Sequence, residues 1–237
     1  MDNAIALALS EDHAPMSELI VSYDGTPNDE DALALAKQLA QTGATIALAY
    51  VRHSIEFNPQ REELAQHDAE QRLERGAAWL GDPTIPRHVV ISPSTGEGLA
   101  RLAESEGASV IVFGSDYRTP PGHAEPGTSA QSLLDGGPVA IAIAAAGLRL
   151  RPGAIRAIAV PLAGATNDVA RQTAAALAEK LGATVVESRS EPVDLTVVGS
   201  KPDAPPGRIV LGGDVRQELS SARSSVLVLP AGRPVLL

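Results

Sequence analysis

The two halves of this chain share short sequence matches that occur in the same order, and this repetition narrows the range of possible folds. The run Gly43-Ala44-Thr45 recurs as Gly182-Ala183-Thr184. The pair Gly114-Ser115 recurs as Gly199-Ser200, but the offset in residue number falls from 139 for the first match to 85 for this one. Ordered matches of this kind predict that one structural unit has been duplicated. Because the offset shortens, the second copy is predicted to lack an internal segment of the first.

Patterns typical of strands and helices alternate along the first half. Short apolar runs that predict buried strands occupy residues 19–23, 45–51, 87–92, 110–113 and 139–145. Helical patterns occupy residues 32–40, 61–80, 96–106 and 128–135, and Asn28 or Asp29 is the expected cap of the first helix. Such alternation implies a parallel sheet. We therefore predict an α/β fold, an open parallel five-stranded sheet with helices on both faces, followed by a truncated second copy of the same unit.

The repeat also predicts how the chain is divided. We expect a flexible N-terminal arm at 1–16, a first unit at 17–146, a linker at 147–153, and a degenerate, truncated second unit at 154–237. The missing piece corresponds to the long helix, the third strand and the next helix. The strand predicted at 184–187 must therefore reach the strand at 194–198 through a short connection. Either a bare, taut connection crosses the sheet, or one strand has changed its place, and the sequence leaves both alternatives open.

Composition excludes several classes of function. The formal net charge is −10, which argues against a nucleic-acid groove and against docking on anionic lipid. Cysteine is absent, so the chain forms no disulfide and no thiolate metal site, and no two of the five histidines have the spacing of a helical zinc site. No apolar run reaches the roughly 20 residues that span a bilayer, and the short apolar start lacks a basic segment. We expect a cytoplasmic protein.

Glycines and polar residues follow two strands that a parallel sheet would bring together. Ligands of open parallel sheets bind beyond the carboxyl ends of strands, where the strand order reverses. A helix start adds free N–H groups and a positive dipole for a phosphate. The residues placed at these positions are Asp24 after the first strand, Gly114 and Ser115 after the fourth, and Gly127, Thr128 and Ser129 at the next helix start.

These residues resemble the binding motif of the universal stress protein family. Its members carry an Asp after the first strand and the motif Gly-x2-Gly-x9-Gly-Ser/Thr after the fourth, which Asp24, Gly114 and Gly127-Thr128 match here. The resemblance is strong over residues 18–146 and weak over 155–230. It implies a fold like that of the adenine nucleotide α-hydrolases and a stress-response function. It also implies that ATP, AMP or another adenine nucleotide, with or without Mg²⁺, is the ligand.

The resemblance assigns a role to each matching position. Asp24 and Val51, which ends the second strand, would hold the adenosine part of the nucleotide. Phosphates would be held by Gly114, Ser115, Gly127, Thr128 and Ser129. Because no dinucleotide-binding, P-loop or nucleophile-elbow motif is present, and no histidine is placed to act as a base, we expect no enzyme activity beyond slow ATP hydrolysis at most.

The motif departs from the family at Tyr117, which stands where the second glycine belongs. A left-handed backbone there would cost a Tyr about 1–2 kcal/mol. The neighbouring Asp116 would add a negative charge near the phosphates, at a cost of about 3 kcal/mol for one charge pair. Two hypotheses therefore remain, a protein that binds an adenine nucleotide in its first unit and a scaffold or dimerisation module that binds none.

The second copy departs further from the motif. Ala163 replaces the Asp, Pro202 replaces the second glycine, and Gly213 replaces the final hydroxyl residue, so we expect no nucleotide there. Its strand at 226–229 corresponds to 139–143 of the first copy, and in the family these last strands pair at the dimer interface. We therefore expect the two copies to form a dimer-like unit within one chain, which leaves open a further homodimer.

Overall fold

A computed structural model describes residues 18–151, 153–161, 167–186 and 192–237. The strands within these ranges are β1 (Leu19–Ser22), β2 (Ile46–Arg52), β3 (Arg87–Ile91), β4 (Val110–Phe113), β5 (Ala140–Ile143), β6 (Ala157–Ala159), β7 (Thr184–Val186), β8 (Leu195–Gly199) and β9 (Ser225–Leu229). The helices are α1 (Pro27–Leu39), α2 (Pro59–Leu80), α3 (Thr95–Glu106), α4 (Thr128–Leu134), α5 (Asn167–Leu181) and α6 (Gly213–Ser221). Two short 3₁₀ turns lie at Ala40–Thr42 and Leu148–Leu150.

The strands form one mostly parallel sheet in the order β3-β2-β1-β4-β5-β9-β8-β6-β7. The first five strands of that order are the predicted parallel sheet, and the predicted α/β fold class is confirmed. The sheet does not end at β5, however, so the expectation of a five-stranded sheet is corrected to nine strands in the described residues. The extension arises because β5 pairs with β9 in the antiparallel direction, with Ile141 opposite Val228 and Ile143 opposite Val226.

The last four strands keep the order of their counterparts in the first half. The order β9-β8-β6-β7 repeats β5-β4-β1-β2, and β6 lies between β7 and β8 as β1 lies between β2 and β4. Of the two alternatives for the shortened half, a strand that has changed its place is therefore wrong. Residues 187–191 of the connection lie outside the described residues, as do residues 1–16 of the predicted arm. The duplication itself stays a prediction that this order supports.

Helix α1 begins earlier than its apolar pattern suggests. Its N-cap is Thr26, which corrects the expected cap at Asn28 or Asp29. Pro27 follows as the first helical residue, where its missing N–H costs nothing. Asp29 completes a capping box by accepting a hydrogen bond from the backbone N–H of Thr26 at 2.9 Å. The capping box fixes the turn that carries Asp24.

Helices cover both faces of the sheet, as predicted. Successive residues of β1 point to opposite faces, so Leu19 and Val21 join one apolar core while Ile20 joins the other. The first core takes buried side chains from α1, α2 and α5, and the second takes them from α3, α4 and α6. Because α1 and α5 share one core, the two halves pack as a continuous structure across the β5–β9 pair.

Candidate nucleotide cleft

The carboxyl ends of β1 and β4 lie side by side and open into one cleft. The two strands pair in parallel, with Leu19 opposite Val110 and Val21 opposite Val112. The cleft has a volume of about 160 Å³ and is lined by Ser22, Asp24, Asp29, Thr95, Phe113, Gly114, Gly127, Thr128, Ser129 and Ala130. Five of the seven predicted site residues therefore meet in one place, while Ser115 and Val51 lie beside it.

Ser115 is buried and its hydroxyl is engaged within the protein. The Oγ atom donates a hydrogen bond to Ala144 O at 2.7 Å and accepts one from the backbone N–H of Glu125 at 3.2 Å. These bonds fasten the loop between β4 and α4 to the end of β5. The hydroxyl is thus not presented to the cleft as a phosphate ligand, a fact that depends on the path of the loop and that no local sequence pattern indicates.

Val51 is a core residue of β2 rather than part of the cleft wall. Its Cγ1 lies 3.3 Å from the position that a Cβ on Gly98 would take, so it packs beneath α3. His53, which follows β2, contacts the cleft residue Thr95. Its Nδ1 lies 3.2 Å from Ser92 O and its Nε2 lies 3.4 Å from Thr95 Oγ1. Sequence reasoning missed His53 and Thr95, and the only available signal was their position just after β2 and β3.

The structure accounts differently for the two glycines that line the cleft, Gly114 and Gly127. A Cβ on Gly114 would collide with the carbonyl group of Asn28, so the glycine allows α1 to approach β4 closely. The Asn28 side chain seals the same contact by donating from Nδ2 to Ser115 O at 2.9 Å. Gly127 has no atom within 4 Å of an added Cβ, and its φ of −70° is open to any residue. Packing therefore requires a glycine at 114, whereas at 127 neither packing nor φ requires one and its place at the N-cap of the next helix only favours it.

Tyr117 does not fill the cleft. Its residue surface is 72% exposed, and the Arg118 guanidinium lies over its ring at 4.9 Å. No described residue other than glycine has a positive φ, so the predicted backbone cost at Tyr117 is wrong. The loop avoids that conformation because Asp116 donates its backbone N–H to Glu125 O at 2.9 Å. The Asp116 carboxylate accepts from the Arg118 backbone N–H at 3.0 Å.

The carboxyl group of Asp24 has a perturbed pKa. Removal from water at the cleft wall raises the pKa of Asp24, and the nearby Asp29 carboxylate raises it further. Arg72 and His53 lower this pKa, but to a smaller extent. Desolvation also raises the pKa of Asp29, although hydrogen bonds from Thr26 oppose the rise. Asp24 is nevertheless exposed to solvent, and a hydrogen-bonding partner for its carboxylate would oppose the rise in pKa.

The N-terminus of α4, beside the cleft, contributes less to the binding of an anion than the sequence suggested. Helix α4 has seven residues, and Gly127 at its N-cap makes no side-chain cap. A dipole from so short a helix is small, so any ligand there depends on the hydroxyl of Thr128, on Ser129 and on nearby backbone groups.

In the second half, a pocket of about 260 Å³ lies between the end of β8, the start of α5 and the segment after β9. It is lined by Asp168, Val169, Gly199, Ser200, Lys201, Pro202, Pro230, Ala231 and Gly232. Pro202 lines this pocket, whereas its counterpart Tyr117 is absent from the lining of the Asp24 cleft. Gly213 is the first residue of α6. Ala163 lies outside the described residues.

The described ranges contain neither a helix long and apolar enough to cross a membrane nor a group of three or more His, Cys, Asp or Glu side chains arranged to hold a metal ion.

Comparison with known proteins identifies the family. Residues 16–144 match the universal stress protein family. A universal stress protein from Archaeoglobus fulgidus superposes with a TM-score of 0.67 at 14% identity, covering 91% of this chain and 99% of that chain. A functionally unknown protein from Pseudomonas aeruginosa PAO1 gives a TM-score of 0.58 at 15% identity, with 90% and 92% covered. A putative universal stress protein from Pseudomonas aeruginosa UCBPP-PA14 gives 0.57 at 15% identity over the same shares.

At these identities the solved structures establish the fold alone. No curated protein matches the chain. The family match covers more than half of the 237 residues and includes β1 to β5 with the cleft between them. The chain therefore belongs to the universal stress protein family.

Proposed function

We propose that this stress-response protein binds an adenine nucleotide, ATP or AMP, in the cleft beside Asp24. The observation that carries the proposal is that Asp24, Gly114, Gly127, Thr128 and Ser129 line a single cleft. The departure at Tyr117 is compatible with binding, because that side chain lies outside the cleft lining and its backbone is unstrained.

The cleft residues suggest a division of roles. The Asp24 carboxylate would accept hydrogen bonds from the ribose hydroxyls, which would also offset the cost of its charge in the cleft. The side chains of Thr128 and Ser129, with backbone N–H groups near Gly114 and Gly127, would contact the phosphates. Two carboxylates, Asp24 and Asp29, line the same cleft and repel phosphate, so Mg²⁺ on the phosphates would favour ATP binding.

The size of the cleft predicts weak binding. Its volume of about 160 Å³ is below the roughly 300–1,000 Å³ of pockets that enclose most of a drug-sized ligand. Only part of a nucleotide would be enclosed, and the base would extend toward His53 at the end of β2. We therefore expect an affinity in the micromolar to millimolar range, with AMP retaining most of it.

Thermal unfolding with and without nucleotide tests the proposal. ATP with Mg²⁺, AMP and GTP would be titrated against the protein, because a ligand at 100 times its Kd stabilises the folded state by about 2.7 kcal/mol. We expect a saturable rise in Tm with ATP and AMP and a smaller one with GTP. The rise in Tm with nucleotide should be lost in Asp24→Asn and Thr128→Val. It should be retained in Asp203→Asn, which replaces an exposed carboxylate that pairs with Lys201.

A rival function, a scaffold or dimerisation module without a nucleotide, has one observation in its favour. The Ser115 hydroxyl, expected on the phosphates, is engaged with Ala144 O. Absence of any shift at millimolar ATP would favour this rival. Because the Tyr117 side chain lies outside the cleft lining, Tyr117→Gly should leave nucleotide affinity nearly unchanged under the first proposal.

We also infer that residues 17–146 and 154–237, joined by the linker 147–153, are two copies of one unit. The matching strand orders support this division, and the β5–β9 pair would then be an internal version of a dimer contact. Pairing of whole chains in a homodimer is a further proposal, and the mass of the protein in solution by light scattering would test it.

A further inference from the structure

Another pocket lies where the two halves meet, away from the Asp24 cleft. It has a volume of about 120 Å³. Its walls come from the end of α1, the segment after β5, and the residues that precede β8 and β9. We call it the joint pocket, and the polar side chains that line it are Gln38, Arg151, Asp194, Arg223, Ser224 and Ser225.

The opposite end of the β5–β9 pair carries a twin of this pocket. The twin has a volume of about 180 Å³ and is lined by Pro138, Val139 and Ala140, among others. In the joint pocket, the residues related to these three by the sequence repeat are Arg223, Ser224 and Ser225. The fold therefore accepts apolar side chains at these positions, and packing alone does not require polar ones in the joint pocket.

Hydrogen bonds within the protein explain the two serines. Ser225 Oγ accepts from the backbone N–H of Ala145 at 3.1 Å. Ser224 Oγ lies 2.8 Å from Thr196 Oγ1 in a buried hydroxyl pair. Both side chains hold the β5–β9 and β8–β9 region together, so neither needs a ligand to account for it.

The arginines of the joint pocket differ from its serines, although Arg151 lies on Gly122 much as Arg233 of the twin pocket lies on Gly207. Across the ranges that the structure describes, neither Arg151 nor Arg223 forms an ion pair or a side-chain hydrogen bond. The Arg151 guanidinium rests against the backbone of Gly122, with Nη2 3.2 Å from the place of an added Cβ. Both arginines are exposed and line this small pocket, so an anion bound there would be attracted by two positive charges.

The remaining groups of the pocket leave a positive excess. Asp194 is the carboxylate in the lining, and its Oδ2 accepts from the backbone N–H groups of Arg156 at 2.7 Å and Ala157 at 3.0 Å. Gln38 donates from Nε2 to Gly153 O at 2.8 Å. In a chain with a net charge of −10, this local excess of guanidinium is distinctive. Guanidinium pairs match the geometry of a tetrahedral oxyanion.

We propose that the joint pocket binds a phosphate group through Arg151 and Arg223. With a volume of about 120 Å³, the pocket suits inorganic phosphate or the phosphate end of a small monoester. Arg151 follows the first half and Arg223 lies two residues before the last strand, so a bound phosphate would connect the two halves. The proposal does not depend on nucleotide binding beside Asp24.

Isothermal titration of the full chain with inorganic phosphate, at constant ionic strength set by chloride, tests this proposal. We expect saturable binding, and Arg151→Gln or Arg223→Gln should weaken it about tenfold by removing charge-assisted hydrogen bonds. The matched control is Arg233→Gln, which changes an arginine of the twin pocket and should bind as the parent does. Circular dichroism would verify that each variant folds.

Two further titrations identify the ligand and the place where it binds. Titration with glycerol 3-phosphate distinguishes the two possible ligands. If it binds more tightly than inorganic phosphate, the site takes an organic monoester, and if it binds equally, the site takes the free ion. Either result supports the site. Asp24→Asn should retain phosphate binding. Binding that disappears in Asp24→Asn but survives in both arginine variants would place the ion in the other cleft and overturn the proposal, as would binding of phosphate no tighter than chloride.

Discussion

Ser115 and Ser200 fasten equivalent loops in the two halves through the same hydrogen bonds. Ser115 Oγ donates to Ala144 O at 2.7 Å, and Ser200 Oγ donates to Leu229 O at 2.7 Å. Each also accepts from a backbone N–H ten residues later, that of Glu125 or Val210, at 3.2 Å. All of these partners differ by the offset of 85 found in the sequence. This agreement is the most detailed support for a duplicated unit. It also indicates that each serine serves to fasten its loop to the end of the neighbouring strand.

The first prediction concerns this serine. Ser115→Ala leaves the N–H of Glu125 and the carbonyl of Ala144 short of a partner in a buried setting, so we expect a loss of about 1–3 kcal/mol in the free energy of unfolding. Ser200→Ala should cost a similar amount. Urea denaturation measures both. Ser220→Ala is the matched control, because that exposed serine bonds only locally to Gln217 O and its loss should change little. Equal stability of Ser115→Ala and the control would contradict this role.

The second prediction separates the two cleft glycines. Gly114→Ala forces a methyl group against the Asn28 carbonyl, so we expect destabilisation of about 1–3 kcal/mol or more. Gly127→Ala meets open space at an ordinary φ, so we expect only the cost of replacing an N-cap glycine, about 1 kcal/mol or less. If a nucleotide occupies the cleft, Gly127→Ala should nevertheless weaken its binding. Denaturation curves and nucleotide titrations of both variants measure the two effects, and a stable Gly114→Ala variant would refute the packing argument.

Much of the fold could be predicted because apolar runs and helix signals are local. The strand predicted at 110–113 is observed as Val110–Phe113, and the helix predicted at 96–106 is observed as Thr95–Glu106. The cap of α1 was misassigned because Thr26 competes with Asn28 and Asp29 for the same role, and only Pro27 as the first helical residue favours it. Joining of the two sheets through β5 and β9 depends on contacts far apart in sequence, which a repeat suggests but does not determine.

The candidate site was predicted in part for the same reason. Residues that directly follow β1 and β4 could be placed, since parallel strands bring their carboxyl ends together. The orientation of a side chain within a folded loop could not. A backbone cost was expected at Tyr117, yet its φ is not positive, and its side chain lies outside the cleft lining in a loop fastened by Ser115 and by the Asp116 backbone. His53 and Thr95 were missed because they meet only through the tertiary structure.

The third prediction concerns the pH dependence of stability. The pKa of Asp24 is raised above its ordinary value of 3.8, mainly by desolvation, so the folded state binds this proton more tightly than the unfolded state. Below pH 3.8 both states are protonated and the carboxyl costs nothing. As pH rises through the folded pKa, stability is lost. Asp24→Asn should therefore be more stable than the parent at neutral pH and equal to it at low pH.

Asp82 provides a control, because its pKa is shifted in the direction opposite to that of Asp24. The pKa of Asp82 is lowered by hydrogen bonds from the side chain and backbone of Thr84. Asp82→Asn should therefore be less stable than the parent at neutral pH, and the difference should vanish as pH falls through the folded pKa. Urea denaturation of the three proteins between pH 3 and pH 7 provides the comparison. If the free energies of unfolding of Asp24→Asn and the parent differ by the same amount at every pH, the pKa of Asp24 is not shifted by folding and this prediction is wrong.

The last prediction concerns the buried carboxylate that holds the linker to the first half. Asp31 is fully buried on α1 and accepts hydrogen bonds from the backbone N–H groups of Gly147 and Arg149, each at 2.8 Å. The Arg149 side chain completes the cluster, with Nη1 2.9 Å from Asp31 Oδ2. The carboxylate thus satisfies three donors at the point where the chain leaves β5 and turns toward the second half.

Removing one partner of a buried charged pair costs more than the pair contributes, because the other groups remain without a partner. Asp31→Asn should lower the free energy of unfolding by about 3–5 kcal/mol. Arg149→Gln should cost less, since the Arg149 side chain is partly exposed and both backbone bonds to Asp31 survive. A double-mutant cycle should give a coupling of about 0.5–3 kcal/mol between them. The exposed pair Arg171–Asp168 is the control and should show no measurable coupling. Additive effects of the Asp31 and Arg149 substitutions would mean that the linker is held by its backbone bonds alone.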